Sequence, residues 1–278
     1  MPKCLSDDAI SQYHREGYYF PLPVLCDEQV ATCRGHLEAF EQSQGEPIGG
    51  ALRNKSHLLF KWIDDLMRED ALLDPVEDLI GPDLLCWNTL FWVKEAGSES
   101  FVSWHQDLRY WGLDTHDLIT VWLALSPATT ESGCMRVLPG SHVGELLPHA
   151  DEYQADNMLT RGQEISVEVD EALAVEMPLK PGQASMHNGR LAHASTPNAS
   201  ADRRIGLSFH YAPTKTKQVV GNWDSAALVR GEDRYGHFTH TPRITRDFEP
   251  AAVDFHERAS TAVRDVLFTG AEKVRKTL

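Results

Sequence analysis

The first 80 residues show apolar positions at helical spacing, interrupted by turn residues. Ser6 followed by two aspartates is typical of a helix N-terminus, and this helix is predicted to end at Gly17. A second helix is predicted to begin at Asp27, with apolar side chains at every third or fourth position. A further helical stretch covers residues 57–79 and is expected to break at Pro75. This part of the chain is interpreted as scaffold.

Beyond Gly81 the pattern changes to short β-prone runs that are separated by Gly, Pro, Asn and acidic turns. The runs cover residues 84–94, 101–107, 119–125, 135–138, 165–169, 184–187 and 205–211. Several short strands at this spacing predict an antiparallel sandwich or jelly-roll rather than a parallel α/β sheet. Segment 18–23 is expected to be extended, with prolines that exclude a central strand. The polar insert 148–164 is predicted to be a surface loop, with a lid role as one alternative.

One domain over residues 1–278 is expected, with a helical part at about 1–80, a β core at about 84–212 and a C-terminal extension at 213–278. The net charge of −15 disfavours nucleic acid or an anionic membrane as a partner, but a pocket can still carry its own positive charge. No run of 18 apolar residues and no apolar leader are found, so a cytoplasmic monomer or homodimer is expected. The five cysteines form no C-x-x-C pair and are predicted to be free thiols.

The first chemical signal is the pair His105 and Asp107 at the end of one β-prone run. Residues i and i+2 of a strand point to the same face, so an imidazole and a carboxylate can converge there. These are two of the three ligands of the facial triad that holds non-haem Fe(II). A second His-x-Asp at 149–151 shows that the pair alone is weak evidence, so a third ligand is needed. The downstream candidates are His187, His193 and His210.

Four short motifs together resemble the phytanoyl-CoA dioxygenase family of Fe(II)/2-oxoglutarate oxygenases. They are Phe91-Trp92-Val93-Lys94, Trp104-His105-Gln106-Asp107, the run 131–142 that ends in Pro-Gly-Ser-His, and His193-Ala194-Ser195 with Arg204. The resemblance covers about residues 84–212. It implies a mainly β fold with flanking helices, around a double-stranded β-helix (a cupin-like jelly-roll). It also implies Fe(II) as the metal and 2-oxoglutarate and O₂ as co-substrates.

The resemblance implies a role for each matching residue. His105, Asp107 and His193 would be the catalytic iron ligands, with His187 as the alternative for the third position. Arg204 stands eleven residues after His193, where the family's guanidinium holds the distal carboxylate of 2-oxoglutarate, a bidentate match that lysine cannot copy. Three further residues are expected to line the co-substrate pocket: Ser195, Lys94 and Trp122.

The implied activity is hydroxylation of an unactivated C–H bond of a small molecule, with release of succinate and CO₂. Relatives that halogenate replace the ligand carboxylate with a small residue, so the retained Asp107 favours hydroxylation. A small polar or anionic metabolite is the preferred substrate. The alternatives are an acyl-CoA 2-hydroxylase of the phytanoyl-CoA type and a natural-product oxygenase that cyclises or desaturates. A protein that keeps the fold without oxygenase activity would be expected to lack Arg204 or a ligand.

The substrate pocket is the least determined part of the sequence. Arg136 lies in a predicted strand, and if it points inward it needs an anionic partner, because an unpaired buried charge is costly. A substrate carboxylate, phosphonate or sulfonate could be that partner. The alternative is an arginine that faces outward to Glu131 or another acid. The other candidate wall residues adjoin the ligand pair: Gln106, Tyr110 and Trp111.

Overall fold

The computed structural model describes residues 2–273 of the chain. In this range the helices are α1 (Asp7–Glu16), α2 (Asp27–Gln44), α3 (Lys61–Leu66), α4 (Asp70–Ile80) and α5 (Pro250–Leu267). The strands are β1 (Tyr18–Pro23), β2 (Leu84–Lys94), β3 (Val102–His105), β4 (Ile119–Ala124), β5 (Met135–Val137), β6 (His149–Asp151), β7 (Gln163–Ile165), β8 (Val175–Met177), β9 (Gln183–Asn188), β10 (His193–Ser195), β11 (Arg204–Pro213), β12 (Ser225–Arg230) and β13 (Thr239–His240). Short 3₁₀ turns occupy Gly50–Arg53, Ser56–Leu58, Asp107–Arg109 and Glu171–Leu173.

Two antiparallel sheets form the core of the fold. The major sheet has the order β1-β9-β4-β11-β2-β12-β13, in which only the last pair is parallel, and the minor sheet has the order β3-β10-β5-β8. Side chains of the two sheets meet between them, where the imidazoles of His187 on β9 and His193 on β10 have centroids 4.5 Å apart. The predicted mainly β fold with a jelly-roll core is confirmed.

The helices cover the outer face of the major sheet. Strands β4 and β11 are buried along their whole length, because one face lines the space between the sheets and the other packs on helices. Phe60 and Val76 from the helical region share a buried apolar cluster with Phe209 of β11. The hydroxyl of Tyr211 also donates a hydrogen bond to the carbonyl of Met67 at 2.8 Å. This explains why Ile205, Leu207 and Phe209, on the helix-facing side of β11, are apolar. The alternate positions Arg204 and His210 are polar and face the space between the sheets.

The first predicted helix is observed with its predicted ends, whereas one predicted helix break is wrong. The Ser6 hydroxyl accepts a hydrogen bond from the N–H of Ala9, and Gly17 ends α1 in the left-handed conformation, both as predicted. The second helix begins at Asp27, but its N-cap is Cys26. The break expected at Pro75 is wrong, because residues 67–69 separate α3 from α4 and Pro75 lies inside α4.

The predicted strands are observed except for 165–169, because the strand there is β7 at Gln163–Ile165. Segment 18–23 is an edge strand of the major sheet, consistent with its prolines. The insert 148–164 is more than a surface loop, because it carries β6 and several buried side chains, Leu159 among them. Strand β12 adds residues beyond 212 to the major sheet. Within the described range no helix combines the length and the apolar composition needed to cross a bilayer.

Candidate active site

Two imidazoles stand side by side at the minor sheet. His105 ends β3, and His193 begins β10 directly opposite it in the antiparallel register, so their ring centroids lie 4.1 Å apart. The Nδ1 of His105 lies 2.9 Å from the carbonyl of Ser103, and the Nδ1 of His193 lies 2.9 Å from the carbonyl of Leu191. Because a carbonyl can only accept, both Nδ1 atoms carry the proton, and both Nε2 lone pairs are free to bind a metal.

Asp107 completes a three-residue cluster with these imidazoles. The strand ends at His105, Gln106 stays extended, and Asp107 begins a 3₁₀ turn, so the i, i+2 convergence is kept although Asp107 is not in the strand. Its Oδ1 lies 3.3 Å from the Nε2 of His105 and 3.8 Å from that of His193. Two ligands about 2.1 Å from one ion at right angles are about 3 Å apart, so the three atoms fit a single metal ion.

His187 faces the other carboxylate oxygen. Its Nε2 lies 3.7 Å from Oδ2 of Asp107, which also accepts a hydrogen bond from the hydroxyl of Thr120 at 3.3 Å. His187 belongs to the major sheet and His193 to the minor sheet, so both point into the space between them. The cluster that converges on Oδ1 contains His193 and not His187. This placement favours His193 as the third ligand.

The charges of the cluster suit a cation. Burial alone would raise the pKa of Asp107, but His193, His105 and His187 outweigh it and hold that pKa well below its ordinary value. Burial and the neighbouring His105 hold the pKa of His193 well below its ordinary value. An ionised carboxylate beside a neutral imidazole is the donor set that Fe(II) takes in facial-triad sites. The residues present therefore fit the metal implied by the motifs.

A second cluster, of positive charge, lies beside the first. Arg204 at the start of β11 pairs directly with Lys94 at the end of β2. Both side chains are buried, and within residues 2–273 neither forms an ion pair with an acid. Burial followed by the charge of Arg204 lowers the pKa of Lys94 to about 6, and burial lowers that of Arg204 to about 10. Like charges placed opposite each other are destabilising unless an anion is shared between them.

Neutral contacts hold this pair in position. The ammonium of Lys94 donates to the hydroxyl of Ser195 at 2.7 Å, and one terminal nitrogen of Arg204 donates to the carbonyl of Gly133 at 2.6 Å. The guanidinium of Arg204 lies over the ring of Trp122, 5.3 Å from its centroid, and its Nε has no hydrogen-bond partner. Arg203 points outward, where it pairs with Glu41 at 2.7 Å. The four residues expected around the co-substrate are thus in contact with one another.

Two cavities meet at the metal-binding cluster. The inner cavity, about 450 Å³, is lined by Trp122, Ser195 and Arg204 among others. The outer cavity, about 690 Å³, has walls that include Arg53, Trp111 and Val263. The residues common to both cavities are Trp92, His105, Asp107 and His210.

Of the expected substrate residues, only Trp111 lines the outer cavity. Arg136 opposes Ala194 in the register, so it points to the outer face of the minor sheet and donates to Glu171 at 2.8 Å. Gln106 is buried, and its side chain bonds the backbone of Leu147 and Arg190. Tyr110 lines a separate surface cleft. These positions correct the expectation that Gln106 and Tyr110 meet substrate, and they give Arg136 its outward alternative, with an acid as partner.

Two parts of the outer wall were not identified from the sequence. Arg53 ends a 3₁₀ turn between α2 and α3, where neither periodicity nor a motif marks it. Val263 and Leu267 come from α5, in the extension to which no role was assigned. The apolar positions of α5 recur at helical spacing, which was the available signal for a packed helix.

Known proteins with similar sequences are oxygenases. The chain is 27% identical over 186 residues, 66% of its length, to a protein named probable alpha-ketoglutarate-dependent hypophosphite dioxygenase from Stutzerimonas stutzeri. It is 28% identical over 223 residues, 72% of its length, to the peroxisomal phytanoyl-CoA dioxygenase of Homo sapiens. The matched part covers 64% and 66% of these two relatives, so the chain spans slightly less than two thirds of their length.

A solved structure described as a non-heme monooxygenase, ThoJ, is similar over 94% of this chain and 98% of its own, with 35% identity and a TM-score of 0.82. CytC3 with Fe(II) and alpha-ketoglutarate shares the fold at 23% identity and a TM-score of 0.65, over 88% of this chain and 97% of its own. The family model described as phytanoyl-CoA dioxygenase matches residues 1–206. The resemblance stated from the motifs is confirmed. The chain belongs to the phytanoyl-CoA dioxygenase family.

Proposed function

We propose that the chain is an Fe(II)- and 2-oxoglutarate-dependent dioxygenase that hydroxylates an unactivated C–H bond of a small molecule. One observation carries this proposal: a His-Asp-His cluster that fits one metal ion lies in the same cavity as a buried arginine that has no acidic partner among the described residues. When bound, Fe(II) and 2-oxoglutarate together supply the oxidising chemistry, which places one atom of O₂ in the product and releases succinate and CO₂.

The protein's own residues provide binding and orientation. His105 and His193 present neutral Nε2 atoms whose direction is fixed by the backbone carbonyls that their Nδ1–H groups bind. Asp107 supplies the negative charge, and Thr120 orients its second oxygen. Arg204 binds the distal carboxylate of 2-oxoglutarate, with Lys94 and Ser195 beside it. The ring of Trp122 lies against the guanidinium of Arg204 and shields its ion pair with the co-substrate from water.

A small polar or anionic metabolite is the proposed substrate. The relatives above are named for hypophosphite and for phytanoyl-CoA, and a third, from Streptomyces griseoviridis, is named L-proline trans-4-hydroxylase, with 24% identity over 229 residues. The outer cavity, which the metal-binding cluster also lines, is the proposed place for this molecule. Acyl-CoA hydroxylation and natural-product cyclisation or desaturation remain the alternatives for the same iron site.

The ligand assignment is tested by metal binding rather than by turnover. Wild type and the variants His105→Ala, Asp107→Ala and His193→Ala are loaded anaerobically with Fe(II), and bound iron is measured with and without 2-oxoglutarate. We expect one Fe(II) per wild-type chain, a visible charge-transfer band when 2-oxoglutarate is added, and loss of both in each variant. His187→Ala is the matched control and is expected to keep the iron. Iron retained in His193→Ala but lost in His187→Ala would make His187 the third ligand.

A further inference from the structure

Arg53 is an arginine without an acidic partner in a strongly acidic protein. The chain has 41 aspartates and glutamates against 26 lysines and arginines. Several partly buried arginines elsewhere are paired with acids, namely Arg203 with Glu41, Arg161 with Asp151 and Arg230 with Asp74, whereas the buried Arg204 and Arg190 have no acidic partner within residues 2–273. No acid within residues 2–273 forms an ion pair with Arg53, although burial lowers its pKa to about 10. A charge in such a place needs an anion.

The guanidinium of Arg53 is held at one edge only. Its Nε donates to the carbonyl of Phe91 at 3.1 Å, and its central carbon lies 5.6 Å from the ring centroid of Trp92. Neither terminal nitrogen has a hydrogen-bond partner in the described part of the chain. These two nitrogens form the fork that matches the two oxygens of a carboxylate. The terminal nitrogens of Arg53 are therefore better suited to binding an anion than to a purely structural role.

Arg53 lines the outer cavity. Among the described residues that line that cavity, Arg53 alone is an arginine or lysine, whereas Arg204 lines the inner one. Trp92, over which Arg53 lies, lines both cavities together with His105 and Asp107. A molecule in the outer cavity can therefore touch Arg53 at one end and reach the metal-binding cluster at another.

Aromatic rings form part of the remaining wall of the outer cavity. The rings of Trp87 and Trp111 have centroids 5.0 Å apart, and Trp111 lies 4.6 Å from the ring of His210. The indole N–H of Trp87 is already bonded to Asp224 at 2.7 Å, so its ring face is what it offers to a ligand. Such walls favour an apolar or planar body over a strongly hydrated one.

We propose, resting on the proposed function, that Arg53 binds an oxyanion of the primary substrate, whose apolar body lies against the cavity wall that Trp87 and Trp111 form. The substrate class is a small organic acid in which a carboxylate, or a phosphonate in the same position, is joined to an apolar or aromatic part. Because Arg53 fixes one end, the distance from this anion to the oxidised carbon determines which C–H bond faces the metal. Arg53 is thereby a specificity-determining residue.

The test compares acids with their own amides, which keep size and shape but lack the charge. Phenylacetate, indole-3-acetate and hexanoate, each with its primary amide, and phenylphosphonate are titrated calorimetrically into protein that holds Mn(II) and saturating N-oxalylglycine, an inert analogue that fills the inner cavity. We expect at least one acid or the phosphonate to bind, and its affinity to exceed that of the amide by about ten- to a hundredfold, as for a charge-assisted bidentate pair. In Arg53→Met this difference should disappear, and in Arg53→Lys it should be reduced.

Arg136→Met is the matched control, because Arg136 is an arginine of similar exposure that pairs with Glu171 away from both cavities. It should keep the wild-type preference for acids. The proposal is overturned if no acid or phosphonate binds more tightly than its neutral counterpart in the wild type, or if Arg53→Met retains the preference. Failure of the proposed function would look different: Mn(II), Fe(II) and N-oxalylglycine would not bind, whether or not the acids were preferred.

Discussion

At the scale of single residues, the co-substrate pocket depends on a glycine. Gly206 follows Arg204 by two positions on β11. A Cβ at this position would clash with the ring of Trp122. The ring can lie across the strand and over the guanidinium of Arg204 only because residue 206 has no side chain. The shape of the pocket is thus set in part by the absence of an atom.

Gly206→Ala should move Trp122 and weaken the binding of 2-oxoglutarate. The added methyl meets an aromatic ring on a buried strand, so overpacking costs roughly 1–3 kcal/mol and part of that cost falls on the pocket. The dissociation constant of 2-oxoglutarate, measured with Mn(II) present, checks this. Gly35→Ala is the control, because nothing lies within 4 Å of a Cβ at that position of α2. Equal affinity in Gly206→Ala and wild type would contradict the prediction.

Lys94 leads to a prediction about protons. Its pKa of about 6 leaves it mostly neutral at pH 8 in the empty protein, whereas the carboxylate of 2-oxoglutarate favours the ammonium form. Binding should then take up close to one proton at pH 8, and affinity should fall as pH rises above about 6, by up to about tenfold per pH unit. Calorimetry in buffers of different ionisation enthalpy measures the uptake. Lys94→Met should show none, and wild type without uptake would contradict the prediction.

The contrast between Arg136 and Arg53 shows what a sequence can and cannot tell at this scale. The sequence left two orientations open for Arg136, inward toward an anion or outward toward an acid. The face on which Arg136 lies depends on the register between β5 and β10, which is a long-range pairing with no local signal. Arg53 lies in a 3₁₀ turn, and only the folded chain places it over Trp92.

At the scale of elements, β2 connects the two ends of the active site. Its last residue, Lys94, lies beside Arg204, which lines the inner cavity, whereas Trp87 near its start lines the outer one. The backbone of Trp87 is fixed by Lys55, whose ammonium donates to the carbonyls of Trp87 and Ser225, each at 2.6 Å, and lies 3.5 Å from Asp224. This buried lysine joins the region before α3 to β2 and β12.

Lys55→Met should destabilise the fold strongly. The change leaves the carboxylate of Asp224 without its cation and two buried carbonyls without their donor, a loss of about 3–5 kcal/mol. The free energy of unfolding from urea denaturation measures it. Lys61→Met serves as the control, because Lys61 pairs with Asp65 near the surface and such pairs contribute about 0–1 kcal/mol. A similar small loss in both variants would show that Lys55 does not anchor β2.

The motifs and most strands could be predicted from the sequence because they depend on residues that are close together in the chain. The i, i+2 pair of His105 and Asp107 depends on neighbouring residues, and Gln106 stays extended even though the strand has ended. The predicted strands are rich in apolar residues, and β4 and β11 are buried on both faces. The break in the helical region was misplaced, since Pro75 was given more weight than the turn at 67–69.

At the scale of the whole molecule, the two cavities draw on different parts of the chain. The family model ends at residue 206, after the metal-binding cluster and Arg204. Helix α5, at Pro250–Leu267, lies beyond that limit and still supplies Val263 and Leu267 to the outer cavity. The catalytic part is thus within the matched region, whereas one wall of the proposed substrate site is contributed from outside it. This explains why sequence reasoning assigned the reaction class more easily than the substrate.

Val263→Phe should close the outer cavity without affecting the inner one. The larger ring projects into a space of about 690 Å³, while Val263 does not line the inner cavity. Affinity for the best small acid should fall at least about tenfold, and the dissociation constant of 2-oxoglutarate should stay unchanged. Ala262→Phe, one position earlier on α5 and facing a surface cleft, is the control. A parallel loss of 2-oxoglutarate binding would mean that α5 supports both cavities.

The facing pair of Lys94 and Arg204 has a consequence for the lifetime of the protein. In the empty chain both side chains are buried without an acidic partner among the described residues, so Arg204 carries an unbalanced charge and Lys94 is held largely neutral. If the chain binds 2-oxoglutarate as proposed, this ligand stabilises the folded state by mass action, by about 2.7 kcal/mol at a hundredfold excess over its dissociation constant. Protein without the ligand would then unfold more often and be degraded sooner, so its abundance would follow the concentration of 2-oxoglutarate.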